Sequence, residues 1–152
     1  MVAQNNLKGD IGLTKAMADL AEKEFLVSVP TSEHAPFDLV AYHYSTQKFY
    51  RIQVKYISVD EKELVRLRFR DRNKILIDVD QCDIICVYNP QTNRCYYLSK
   101  PIIDEFSSRQ NINFRIHESI RANSKDELWL GSYEQFPHIL DNYTVDYEDA
   151  SE

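Results

Sequence analysis

The chain has 152 residues and a formal net charge of −6, with 43% hydrophobic and 28% charged residues. That balance describes a globular chain long enough for a real core. Its three glycines leave no Gly-rich phosphate loop, and no apolar run nears the roughly 18 residues that span a bilayer.

The charge is unevenly spread. Residues 141–152 hold Asp141, Asp146, Glu148, Asp149 and Glu152 and no Lys or Arg, so without them the count moves from −6 to −1. Residues 1–140 are read as one domain, and residues 141–152 as an acidic, mobile tail. The near-neutral body still allows its bases to cluster on a nucleic-acid surface. The N-terminus lacks a charged-then-apolar pattern, so a cytoplasmic protein with no membrane partner is expected. Cys82, Cys86 and Cys95 are odd in number, and the histidines at 34, 43, 117 and 138 form no pair at ligand spacing. Buried thiols on strands are expected there, rather than a zinc site.

Residues 1–9 are expected to form a loose arm. Asp10 or Thr14 can cap a helix that runs to about residue 24. Ile11, Leu13, Ala16, Met17, Leu20 and Ala21 recur at helical spacing, so Leu13 reads as an ordinary core residue. Residues 25–29 form a short strand ended by Pro30. Glu33 and His34 follow in a loop and read first as surface residues.

Residues 37–42 and 49–56 read as a hairpin across a polar turn. Alternation puts Arg51, Gln53 and Lys55 on one face and Ile52, Val54 and Tyr56 on the other. Antiparallel pairing brings Asp38 near Gln53 and Lys55. Taken singly, Asp38 and Lys55 are solvated strand residues. Together the set suits phosphodiester hydrolysis. Asp38 is a hard oxygen ligand for Mg²⁺, and the Gln53 amide oxygen is a weaker, uncharged second ligand. Lys55 can orient the attacking water or stabilise transition-state charge.

Residues 64–70 read Leu-Val-Arg-Leu-Arg-Phe-Arg. Val65, Leu67 and Phe69 fall on one strand face and Arg66, Arg68 and Arg70 on the other, with Arg72 and Lys74 extending the basic run. An edge strand protected by charge is the plain reading. A row of guanidinium groups lying on double-stranded DNA is the reading favoured by the neighbouring site.

Residues 73–81 are expected as a loop with Ile75, Leu76, Ile77 and Val79 partly buried. Residues 82–88 form a nearly continuous apolar run, as in a strand covered on both faces. Residues 94–99 return from the turn at 89–93. Pro101 starts a short helix to about residue 107. Phe114 and Ile116 suggest a strand that exposes Arg115 and His117. Arg109, Arg115, Arg121 and Lys125 are scattered bases that could join the DNA surface. Leu128, Trp129, Leu130, Tyr133, Phe136, Ile139 and Leu140 would close the core or form a subunit interface. The order of elements implies an α+β fold with a mixed central sheet.

Pro36-Phe37-Asp38, then fourteen residues, then Gln53-Val54-Lys55 resembles the PD-(D/E)XK nuclease signature with Gln in the (D/E) position. Over residues 7–137 the chain resembles the group I intron-associated PD-(D/E)XK homing endonucleases of cyanobacterial type. Lys8-Gly9-Asp10-Ile11-Gly12 matches their opening motif. Asp83 to Thr92 with Tyr96-Tyr97-Leu98 matches their later strand pair. Asn113-Phe114-Arg115-Ile116 and the polar segment around Asn123 match more loosely. The resemblance implies a restriction endonuclease-like αβββαβ core with a mixed central sheet and added β elements. It also implies a magnesium-dependent enzyme making site-specific double-strand cuts, assembled as a homo-oligomer, either dimer or tetramer. One position departs from the family pattern. Leu13 stands where the family places Glu after the glycine, and Asp10, one helical turn earlier, is the nearest carboxylate to stand in. A DNA-binding relative with weakened or lost cleavage is therefore the second reading.

Overall fold

The computed structural model describes residues 3–118 and 127–137. Its first helix, α1 (Gln4–Glu22), starts earlier than expected. The segment read as a loose arm is helical from Gln4, and the amides of Asn6 and Leu7 already bond to the Ala3 carbonyl. Its exposed residues carry no apolar periodicity, yet nothing there stops a helix that packing holds further along. Gly12, Ala16 and Leu20 are buried, with Leu13 and Met17 half-buried beside them. Gly12 lets the helix approach closely, since a Cβ there would sit 3.2 Å from Tyr56 Cβ.

Ten strands follow. They are β1 (Phe25–Ser28), β2 (Leu39–His43), β3 (Phe49–Tyr56), β4 (Leu64–Arg68), β5 (Arg70–Asp71), β6 (Lys74–Ile75), β7 (Ile84–Asn89), β8 (Arg94–Ser99), β9 (Asn111–Arg115) and β10 (Glu127–Trp129). The second helix, α2 (Lys100–Phe106), follows β8 with Pro101 in its first turn. The main sheet has order β1-β2-β3-β7-β8, in which only β3 and β7 run parallel. A second sheet has order β10-β9-β4, and β5 and β6 make a small hairpin. The mixed α+β architecture expected from the chain is the one observed.

The main sheet is covered on both faces. Under α1 lie Phe25, Leu39, Ala41, Tyr50, Ile52, Ile84 and Cys86. On the other face Ile85, Val87, Tyr96 and Leu98 meet Val65, Leu67, Phe69, Ile112 and Phe114 of the second sheet segment and Ile103 and Phe106 of α2. The terminal apolar segment closes both cores, Leu130 packing in one and Phe136 in the other. Ile139 and Leu140, the bases Arg121 and Lys125, and the acidic tail lie outside the described residues.

All three cysteines are buried and unpaired. Burial pushes the Cys82 thiol up to about 11, so it stays protonated at neutral pH. Two expectations change. Ile75 and Leu76 are 60% and 36% exposed, because the β5–β6 hairpin projects from the body and only Ile77 and Val79 reach the core. Arg115 is half-buried rather than exposed, since its strand is internal to the second sheet. Leu67 ties that sheet to the main one at 1% exposure. Leu67→Ala should therefore lower unfolding free energy by about 2–5 kcal/mol, measured as a fall in the urea midpoint.

Candidate active site

The site is built where β3 changes neighbours. Its first half pairs with β2, from Tyr42↔Phe49 to Leu39↔Ile52. Its second half pairs with β7, from Ile52↔Ile84 to Tyr56↔Tyr88. Only Ile52 has a strand on both sides. Beyond it, β2 no longer lines the edge of β3, and Asp38 stands at the fork. Its amide donates to the Ile52 carbonyl at 2.9 Å. Its Oδ2 accepts from the Val54 amide at 2.7 Å and from Gln53 Nε2 at 2.6 Å. A carboxylate thus takes the place of the carbonyl that a longer β2 would have offered.

A second aspartate does the same on the opposite edge. Asp83 lies just before β7, and its Oδ2 accepts from the Arg51 amide at 2.8 Å. The Arg51 guanidinium closes a two-pronged pair, with Nε to Oδ2 at 3.1 Å and Nη2 to Oδ1 at 2.8 Å. The Asp83 amide donates back to the Arg51 carbonyl at 2.8 Å. Burial pushes the Asp83 carboxyl up, but hydrogen bonds from the Arg51 side chain and backbone outweigh it and hold the group below the usual range. The Arg51 guanidinium is held above its ordinary value, chiefly by its hydrogen bond to Asp83. This clamp fixes the register of the strand that carries Gln53 and Lys55. The sequence marks Asp83 only as the residue that opens the strand pair resembling the family's, with no partner for its side chain.

Asp38, Gln53 and Lys55 are each half-buried. Asp38 and Gln53 are in contact. Lys55 is two residues further along the same face of β3, and among the described residues it forms no hydrogen bond or ion pair. Leu13, like Val54 and Tyr56, packs half-buried against the core under α1. Asp10 is exposed on α1, its carbonyl accepting from Thr14 Oγ1 at 2.8 Å. Glu33 and His34 are exposed in their loop. Among the described residues no three His, Cys, Asp or Glu side chains gather into a group able to hold a metal. On the Asp38 edge the acid content is one carboxylate, just before β2, beside an amide.

The basic surface alternates as the sequence predicts. Val65, Leu67 and Phe69 are buried, and Arg66, Arg68 and Arg70 are exposed. Arg66 Nη2 lies 3.2 Å from Asp60 Oδ2, and Arg68 Nη2 lies 3.4 Å from Asp71 Oδ1. Among the described residues, Arg70, Arg72 and Lys74 have no acidic partner. Arg66, Arg68, Arg70 and Arg72 line a cavity of about 340 Å³ together with Asp71, Gln110 and Asn111.

A mixed five-stranded sheet with α1 on one face and a second sheet and α2 on the other defines an α+β domain. The profile of the PD-(D/E)XK endonuclease family matches residues 3–136, and the chain belongs to that family. Among solved structures, that of a bacterial homing endonuclease, I-Ssp6803I, is similar with a TM-score of 0.61 at 21% identity, covering 81% of this chain and 84% of that one. At that identity the likeness speaks for the fold. No curated protein matches the chain.

The Asp83 clamp has a defined pH dependence. A carboxyl depressed in the folded state stabilises fully above the unfolded pKa of about 3.9. That contribution fades as pH falls through the lower folded value. Asp83→Asn should cost about 1 kcal/mol near pH 7, solvent screening included, and flatten the loss of stability below about pH 4. Urea midpoints measured across that range check both.

Proposed function

We propose that this protein is a magnesium-dependent, site-specific DNA endonuclease of the homing type, cutting both strands of its target as a homo-oligomer. The observation that carries the reading is the fork in the sheet, where Asp38 meets Gln53 with Lys55 on the same strand face. Asp38 Oδ2 is held by two N–H donors, which leaves Oδ1 and the Gln53 amide oxygen without partners among the described residues. These are hard oxygen donors, one charged and one neutral. They fit Mg²⁺, which binds through one or two carboxylates and keeps several waters. When bound, the ion would acidify a coordinated water and offset charge on the scissile phosphate.

The protein groups divide the remaining work. The two N–H donors restrict the Asp38 carboxylate to one orientation. The Lys55 ammonium, which has no competing acid among the described residues, would stabilise charge gathering on the phosphate oxygens and orient the attacking water. Arg66, Arg68, Arg70, Arg72 and Lys74 would bind the duplex through its phosphates. One domain carries one such set, so cutting two strands needs at least a pair of copies, as a dimer or a tetramer.

Leu13 favours a second reading. An apolar side chain stands where the resembling family has a carboxylate, and it packs against the core. The alternative is a relative that binds DNA and cleaves it weakly or not at all.

The test incubates the chain and Leu13→Glu with a library of duplex DNA and Mg²⁺. Cleavage by the chain is expected, with Lys55→Ala slower by roughly 100-fold or more and Asp38→Asn inactive. If neither the chain nor Leu13→Glu cuts, while salt-sensitive DNA binding persists, the second reading replaces the first. Loss of that binding as well would overturn both.

A further inference from the structure

The second sheet turns Val65, Leu67, Ile112 and Phe114 into the core. The register then sets Arg66 beside Asn113 and Arg68 beside Asn111 on the other face. Each row joins a guanidinium to a carboxamide across neighbouring antiparallel strands. These are the side chains that pair bidentately with the major-groove edges of guanine and adenine.

The chemistry of this face is unspent. The side-chain amides of Gln110, Asn111 and Asn113 make no hydrogen bond to any described residue. Asn113 Oδ1 and Arg115 Nη1 are shut off from solvent and have no hydrogen-bond partner among the described residues, which sets them apart from the more open Asn111. Asn111 is only half-buried and opens on the arginine cavity, so a ligand with matching donors and acceptors would pair its amide. Arg66 and Arg68 are held toward Asp60 and Asp71 by exposed ion pairs. Such pairs contribute little and exchange readily for a better acceptor. The cavity of about 340 Å³ brings four arginines and the Gln110 and Asn111 amides together.

The spacing also suits a duplex. Successive residues on one strand face are about 6.8 Å apart, close to the rise of two base pairs, about 6.8 Å. A two-stranded ribbon fits the major groove. The β5–β6 hairpin continues from this ribbon with Arg70, Arg72 and Lys74, all exposed and without acidic partners among the described residues.

We infer that Arg66 and the Arg68–Asn111 row, which line one cavity, are the base-reading elements of this protein. Arginine takes guanine and asparagine takes adenine, whereas Arg70, Arg72 and Lys74 hold phosphates. The inference rests on the DNA-binding reading above and adds which residues carry sequence information.

The experiment selects bound sequences from a randomised duplex library in metal-free buffer and measures the salt dependence of binding for each variant. Wild type should enrich a defined sequence. Asn111→Ala should lose roughly 5- to 150-fold discrimination at one position with an unchanged salt slope. Asn111→Asp should trade adenine for cytosine at its position, a readout that misfolding cannot mimic. Lys74→Ala should keep the sequence preference and lower the salt slope by about one. An unchanged preference in both Asn111 variants overturns the inference, and so does wild-type binding with no sequence preference. A wild type with no salt-sensitive DNA affinity would instead overturn the functional reading beneath it.

Discussion

Strand β3 serves two neighbours in succession, and the rest of the molecule is arranged around that change. Pairing with β2 ends and pairing with β7 begins at the same residue, Ile52. A strand staggered in this way leaves an amide unmatched on each edge, and an unmatched buried amide costs about 1–3 kcal/mol. Two aspartates answer the need, Asp38 at the Val54 amide and Asp83 at the Arg51 amide. One of them carries the proposed chemistry. The other holds the strand in register beneath it. The fork is stable only because acidic side chains substitute for missing backbone.

The parallel pairing of β3 with β7 has its own cost in chain length, since parallel strands cannot be joined by a tight turn. Here the crossover occupies the chain between Tyr56 and Ile84, and the basic strand β4 and the β5–β6 hairpin lie within it. The arginine face and the fork are thus two parts of one excursion, anchored at both ends on the strands that define the fork. Leu67 and Phe69 bury against the same main sheet. Displacement of the basic surface is therefore resisted by the packing that supports the fork.

The parts of this arrangement that depend on local pattern were legible in the sequence. Alternation from Val65 to Phe69 placed the arginines correctly, and the β2–β3 hairpin followed from two strand-like runs around a polar turn. The start of α1 was not legible, because Gln4 to Gly9 shows no apolar spacing and its helix is continued from a packed segment downstream. The Arg51–Asp83 clamp and the Arg–Asn rows join residues 32 to 47 positions apart, as Arg51 with Asp83 and Arg66 with Asn113. Composition and periodicity carry no information about such pairings, which depend on how strands are ordered in a sheet. The Asp38–Gln53 contact was anticipated only because a hairpin makes it nearly local.

Asp38 is at once a structural cap and the proposed charged ligand, while Lys55 has no structural partner among the described residues. Selection for a folded chain would preserve the first even in a lineage that had stopped cutting DNA. It would exert no comparable hold on the second. Among relatives of this protein, drift should therefore erase the lysine long before the aspartate, and the lysine is the better witness to a living enzyme.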